Sequence, residues 1–349
     1  MSSIPTLDGI VSTMIQTERI NQHVLTTEGE GTPIIFVHGN CSSATFWEET
    51  MLRLPAGYQG IAPDQRGYGD TEPLTIDAKQ GLDDMAADLL SLAKTMGHNE
   101  FHLVGHSMGG NVVMKMALMA PKQIKSMTLV ATGSPYGYSG SKGAAGESVY
   151  EDGAPAGGGA ANPDFVRMIA ENDRGDSDQM APRNVMRAFY YKPPFVPERE
   201  EELLSSLLTT HTGDNHYPGN FTPSENWPGV APGTTGILNA LARKFYDASG
   251  LVDIEPKPPV LWIRGADDMI VSDNAMFDVA ALGAMGAIPG HPGSEICPPQ
   301  PMIEQTRAVL KQYAANGGVY TEVVMSETGH TPYIEKPEEF DQQFHNFLG

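Results

Sequence analysis

Residues 105–110 read Gly-His-Ser-Met-Gly-Gly, and their surroundings restrict the fold more than any other stretch of the chain. Before them stands the apolar run Phe101-His102-Leu103-Val104, a strand pattern. After them Asn111-Val112-Val113-Met114-Lys115-Met116-Ala117-Leu118 has helical spacing. A strand that turns into a helix over so few residues has no room for side chains inside the turn. The glycines at 105 and 109 supply that room. Ser107, at the tip, is expected to be lifted above the end of the sheet as a presented nucleophile.

A serine hydroxyl is a weak nucleophile at neutral pH, so chemistry at Ser107 needs a base, an acid to orient that base, and donors for a developing oxyanion. The base candidate is His330. The strand-like run Tyr320-Thr321-Glu322-Val323-Val324-Met325 leads to it, and a helix opens after it at Lys336-Pro337, which puts His330 on a loop at a strand end. Of the ten histidines, His38 and His106 flank other motif glycines and are weaker candidates, and the remaining seven read as surface or packing residues.

For the acid, the buried-strand pattern Pro259-Val260-Leu261-Trp262-Ile263-Arg264 breaks at Gly265-Ala266-Asp267-Asp268. Neighbouring side chains point apart, so one aspartate serves. Asp268 is preferred, with Asp267 as a turn or capping residue. No acid ends the run Met127-Thr128-Leu129-Val130-Ala131-Thr132, which argues against an acid at that earlier strand. The oxyanion donors are expected from the strand Pro33–Val37 and its loop His38-Gly39-Asn40. The backbone amides of Asn40 and Met108 would converge there, and the Asn40 side chain is either a third donor or a turn stabiliser.

Serine, aspartate and histidine in that chain order, with a His-Gly loop upstream, resemble the α/β-hydrolase superfamily, in particular its capped serine esterase and lactonase-like group. The likeness covers residues 17–133 and 257–348. It includes Ala62-Pro63-Asp64-Gln65-Arg66-Gly67-Tyr68-Gly69-Asp70-Thr71 and the ending Gly-His-Thr-Pro-Tyr-Ile-Glu-Lys-Pro-Glu-Glu-Phe. The resemblance implies an α/β fold, a mostly parallel twisted sheet flanked by helices, with a largely helical cap inserted in it. Epoxide hydrolases and haloalkane dehalogenases of this superfamily carry aspartate where Ser107 stands, which excludes their alkyl-ester chemistry here. Carbon-carbon hydrolases of ring-cleavage type use serine but usually follow the base histidine with tryptophan, where this chain has Thr331.

The expected division is a core of residues 1–133 and 257–349 with a cap over 134–256. Within the cap, the stretch from Gly137 to Ala161 is rich in Gly, Ala and Ser and reads as a mobile or irregular flap. Helices are expected from Asn162-Pro163 onwards, over 183–191, 197–209 and 234–248. The cap aromatics Phe189, Tyr190, Tyr191, Tyr217, Phe221, Trp227 and Phe245 are candidates to line a pocket, and Tyr190, Tyr191 and Trp227 are put forward as substrate-binding. Aromatics at helical spacing also build cores, so only some are expected to touch substrate. A second insertion, from Met276 to Pro301, has three open readings: pocket lining, a homodimer contact, or packing against the cap.

A net charge of -21 opposes binding to nucleic acid or anionic membranes. No stretch approaches the ~18 apolar residues of a membrane span, and the start of the chain has no basic segment followed by an apolar one, so a cytoplasmic protein is expected. Cys41 and Cys297 are the only cysteines, so neither a disulfide framework nor a cysteine metal site is indicated. Cys41 is expected as a free thiol beside the oxyanion loop. No zinc spacing, phosphate loop or dinucleotide signature appears, so neither metal nor cofactor is expected. The combined expectation is a serine hydrolase of a small to medium hydrophobic ester or lactone. The alternatives are carbon-carbon bond hydrolysis and a small-molecule receptor that retains the triad.

Overall fold

A computed structural model describes residues 4–349. Among these residues one sheet holds eight strands: β1 (Ile10–Gln16), β2 (Asn21–Thr27), β3 (Thr32–Val37), β4 (Tyr58–Pro63), β5 (Phe101–His106), β6 (Ile124–Val130), β7 (Val260–Gly265) and β8 (Tyr320–Met325). Their order is β1-β2-β4-β3-β5-β6-β7-β8. β2 runs antiparallel to β1 and β4, and every other pair is parallel. Parallel strands are covered on both faces, so they read as apolar runs rather than alternations. All of β5 is buried, as is Val260-Leu261-Trp262-Ile263 of β7, whereas β1, at the sheet edge, is exposed along most of its length.

Helices α1 (Asp83–Thr95) and α2 (Met108–Met119) pack together beside β5, with Asp83 and Asp84 in the first turn of α1 and Lys94 in its last, each favoured by the helix dipole. The last helix, Pro337–Leu348, starts with proline at a position where no intrahelical N–H is needed. It buries Phe340 and Phe344, the latter 6.2 Å from the Phe36 ring of β3. The polypeptide therefore closes its C-terminus onto the strand that leads into the His38-Gly39-Asn40 loop. Both cysteines are buried free thiols, and burial pushes the Cys41 thiol up to about 12.

Between β6 and β7 the chain makes short elements. Helix Pro163–Ala170 is capped by Asn162, whose side chain accepts from Asp164 N (2.9 Å) and Phe165 N (3.4 Å). The helix expected over 183–191 is found as Pro182–Val185 continuing in a π-turn over Met186–Tyr190, and that over 197–209 as Glu200–Leu208.

Two expectations need correction. The helix expected over 234–248 is only Ile237–Ala240. Asn239 there turns its amide to other loops, accepting from Gly158 N and Gly233 N and donating to Asn220 O. The Leu241 carbonyl accepts from Tyr138 N, so it is spent outside a helix. The glycine-rich stretch 137–161 is irregular, as expected, but its 153–158 part is buried. A Cβ on Gly157 would lie 2.4 Å from Asn239 Oδ1, and one on Gly158 would lie 2.3 Å from the Gly219 carbonyl. These glycines permit close packing of backbone on backbone, where the composition had suggested looseness.

The Met276–Pro301 stretch packs against the segment between β6 and β7. The Phe277 ring lies 4.9 Å from Phe189, and Trp227 Nε1 donates to the Pro289 carbonyl. Among the described residues no helix is long and apolar enough to cross a membrane, and no group of three His, Cys, Asp or Glu is placed to hold a metal.

Several core histidines are held uncharged. Burial, with the nearby Lys125 charge, pushes His102 down to about 4 while its Nδ1 meets Ser126 Oγ at 2.7 Å, and burial lowers His38 and His106 as well. Between pH 6.5 and 4 the unfolded chain therefore binds protons that these imidazoles do not take up, and stability falls as pH falls through that window. Thermal midpoints measured from pH 7.5 to 5 should drop with acidification, and drop less for His102→Gln. Parallel curves for the two proteins would count against a buried neutral His102.

Candidate active site

Ser107 joins β5 to α2 with φ 55 and ψ -123, a conformation that a residue with a side chain rarely adopts. The turn is locked on every side. Ser107 N donates to the Val130 carbonyl (2.9 Å), and the Ser107 carbonyl accepts from Gly110 N (2.9 Å). A Cβ on Gly105 would come within 2.4 Å of the Gly109 carbonyl, one on Gly109 within 2.2 Å of the Val37 carbonyl, and one on Gly110 within 2.2 Å of Thr132 Oγ1. Ser107 alone in 101–110 is not buried.

His330 follows β8 after a short turn. Its Nδ1 lies 2.8 Å from Asp268 Oδ2, and both side chains are buried. Asp268 Oδ1 accepts from Ile270 N (2.8 Å) and Val271 N (2.9 Å), which fixes the carboxylate independently of the histidine. Asp267 points the other way, to Lys192 Nζ at 2.9 Å, and is half-exposed. The structure therefore pairs His330 with Asp268 and leaves Asp267 on the surface.

The two weaker base candidates are engaged elsewhere. His106 Nε2 donates to the His330 carbonyl (2.9 Å), and its ring lies 4.6 Å from the His330 ring, which sets the His330 loop directly beside the Ser107 turn. Burial and the neighbouring His330 hold the His106 pKa well below the usual histidine range. His38 Nε2 accepts from Gln65 N (3.0 Å), so its Nδ1 carries the proton and donates to the Gly39 carbonyl (2.8 Å).

Asn40 and Met108 flank the turn. A Cβ on Gly39 would sit 3.1 Å from Ser107 Cβ, so the 38–40 loop runs against the serine. Asn40 Oδ1 accepts from the Tyr68 hydroxyl at 2.7 Å, and the same hydroxyl is 3.9 Å from Met108 Sδ. Tyr68 thus ties the two candidate oxyanion residues together.

Of the three aromatics put forward, the structure brings Tyr190 to this place. Its hydroxyl donates to the Cys41 carbonyl (3.0 Å), its own carbonyl accepts from Thr331 Oγ1 (2.9 Å), and its ring is 6.4 Å from His330. Tyr191 is buried between Tyr190 and Phe195. Trp227 sits over Gly283 and against His291, on the second insertion, and among the described residues it neither hydrogen-bonds nor stacks with Ser107, Asn40 or His330.

Sequence reasoning gave Tyr68 and Glu335 no role. The Glu335 carboxylate accepts from Gly329 N (2.9 Å) and Thr331 N (3.2 Å), the residues on either side of His330, and from Lys192 N (2.8 Å). It joins the His330 loop to the chain leaving Tyr190-Tyr191. The available signal was a carboxylate at the end of the short helix Pro332–Glu335, one turn after the histidine.

A family model described as the alpha/beta hydrolase fold matches residues 32–148. Epoxide hydrolase 2 of Siraitia grosvenorii is 32% identical over 122 residues, 35% of this chain and 38% of that protein. A protein of Stutzerimonas stutzeri that bears the name "Putative carbamate hydrolase RutD" is 28% identical over 252 residues, 70% of this chain and 77% of that protein. The chain spans under two fifths of the length of the first curated relatives it matches. Among solved structures, an esterase from Thermogutta terrifontis has a TM-score of 0.59 at 19% identity, covering 97% of this chain and 98% of its own. The esterase EaEST of Exiguobacterium antarcticum has a TM-score of 0.60 at 17% identity, covering 97% and 99%. At such identities the likeness is one of fold.

Glu335 satisfies backbone amides that would otherwise be left in a part-buried loop, so Glu335→Ala should cost about 1–3 kcal/mol of unfolding free energy. Glu335→Gln, which keeps a carbonyl acceptor, should cost less. Urea unfolding of the three proteins checks this ranking.

Proposed function

We propose that this chain, which has the α/β-hydrolase fold, is a serine hydrolase of carboxylic esters or lactones. The supporting observation is the His330–Asp268 pair, delivered beside the strained Ser107 turn by the His106 bond to the His330 backbone. In this reading Ser107 Oγ attacks the substrate carbonyl and its proton passes to His330 Nε2, while Asp268 accepts from Nδ1–H, fixing the tautomer and stabilising the imidazolium. The amides of Asn40 and Met108 hold the oxyanion. Because Tyr68 engages Asn40 Oδ1, the nitrogen end of that amide is the end available as a third donor. His330 then protonates the leaving alcohol, and water activated by the same imidazole releases the acid.

The segment 134–256 is the cap in this proposal. Tyr190 forms part of its inner surface, held between the oxyanion loop and the base loop, and favours a small to medium hydrophobic acyl or alcohol group. Ser107 takes the place of the aspartate expected of epoxide-opening chemistry, so an acyl substrate is favoured over an epoxide. A relative that spans 70% of this chain is named for carbamate hydrolysis, so carbamates belong in the substrate panel.

Turnover of p-nitrophenyl esters, a lactone series and aryl carbamates should be measured with wild type and Ser107→Ala, together with fluorophosphonate adducts mapped to peptides. Rapid labelling at Ser107, with ester turnover abolished in the variant, is expected; wild-type protein that neither labels at Ser107 nor turns over any of these would sink the reading. Asp268→Asn should lower kcat by about 10,000-fold, while Asp267→Asn stays near wild type. The opposite ranking would move the acid by one residue.

A further inference from the structure

On the open edge of the sheet, well apart in sequence from Ser107, a serine, a histidine and an aspartate are hydrogen-bonded in series. Ser12 Oγ on β1 lies 2.8 Å from His23 Nε2 on β2, and His23 Nδ1 lies 2.7 Å from Asp64 Oδ2 just after β4. The register produces this. Ser12 faces Leu25 across the antiparallel pair, and His23, two residues along, projects from the same face as its diagonal neighbour. Asp64 is buried and otherwise accepts from Ala44 N (2.8 Å) and Asp70 N (3.0 Å). An ionised carboxylate only accepts, so in the neutral ring Nδ1 carries the hydrogen and Nε2 presents a lone pair to the Ser12 hydroxyl. Ser12 is exposed, while His23 and Asp64 beneath it are buried, beside a narrow crevice also lined by Ser43, Thr45 and Thr209.

We propose that Ser12, His23 and Asp64 form a second acyl-accepting site, at which Ser12 is modified by activated esters and organophosphorus electrophiles. Ser12 Oγ bonds to the carbonyl carbon of an aryl ester as the carbon-aryloxy bond breaks, the serine proton passing through His23 Nε2 to the departing aryl oxide, which leaves acyl-Ser12 and a phenol. With a fluorophosphonate, fluoride leaves phosphorus and the proton goes through His23 to solvent. The other serine-histidine contacts among the described residues lack parts of this arrangement. Ser126 and His102 are both buried, and among the described residues His102 has no carboxylate partner. Ser42 lies 3.4 Å from His38, also buried, whose other nitrogen is held by a backbone amide. Ser12 sits mid-strand, and among the described residues no helix N-terminus stands behind it. Each missing oxyanion donor lowers a rate by roughly 100- to 1000-fold, so slow stoichiometric modification is expected in place of turnover.

The inference is independent of the role given to Ser107, and its test separates the two. Ser107→Ala protein is incubated with a fluorophosphonate, and in parallel with p-nitrophenyl acetate, at pH 8.5, and adducts are mapped by peptide mass. That pH offsets the raised pKa of His23, whose burial is outweighed by the Asp64 bond and charge with a further contribution from Asp70. Ser148 and Ser326, exposed serines hydrogen-bonded to no histidine among the described residues, serve as internal controls. General-base assistance predicts an adduct at Ser12 forming about 100-fold faster than at either control, and slowed to the control rate in His23→Gln. No Ser12 adduct, or one no faster than the controls in Ser107→Ala itself, overturns the proposal even if His23→Gln fails to fold. Wild type labelled at Ser12 but not at Ser107 would instead sink the reading of Ser107.

Discussion

Backbone meeting backbone at Gly105 and Gly109 is the contact on which the candidate site depends. With carbonyl oxygens 2.4 and 2.2 Å from where a β-carbon would stand, the strand end, the helix start and the Val37 carbonyl can close together only if those positions carry hydrogen. The strain this imposes is concentrated on Ser107, whose positive φ is stabilised by the surrounding packing and by the Val130 and Gly110 bonds. Ser107 is thereby left partly accessible on an otherwise buried strand end.

The second requirement is that a loop from the far end of the sequence be brought to that turn and held. Three kinds of contact do so. His106, next to Ser107, donates to the His330 backbone; Glu335 gathers the amides of Gly329 and Thr331; and Thr331 donates to the Tyr190 carbonyl. Asp268 is fixed by two backbone amides of its own, so the imidazole is oriented by a carboxylate that does not need the imidazole to stay in place. Tyr190 also donates to the Cys41 carbonyl, so one residue of the segment between β6 and β7 touches both loops that flank the serine. Movement of that segment would therefore be felt at both.

Ser107-His330-Asp268 and Ser12-His23-Asp64 share residue types but differ in what surrounds them. Ser107 stands at a helix N-terminus on a strained turn, with the 38–40 loop against it. Ser12 stands in a regular edge strand. A hydrogen-bonded relay can raise the basicity available to a hydroxyl, but only oriented donors stabilise the charge that develops once it attacks.

What the sequence determined by itself was local. The strand-glycine-helix alternation set the Ser107 turn, apolar runs marked the covered strands, and Asn162-Pro163 marked a helix start that the structure caps with that asparagine. Which neighbours meet was decided by the tertiary structure. Asp267 and Asp268 are indistinguishable in composition and differ only in the direction each side chain leaves a turn, towards Lys192 or towards His330. The glycine-rich stretch read as loose is packed because Asn239 and Gly219 lie against it, and the helix expected to Ala248 ends at Ala240 because its polar groups bond distant loops. Glu335, Tyr68 and the Ser12 relay act through partners far away in the chain. Periodicity and turn chemistry report on neighbours along the chain, whereas hydrogen bonds between distant segments exist only once the sheet has brought them together.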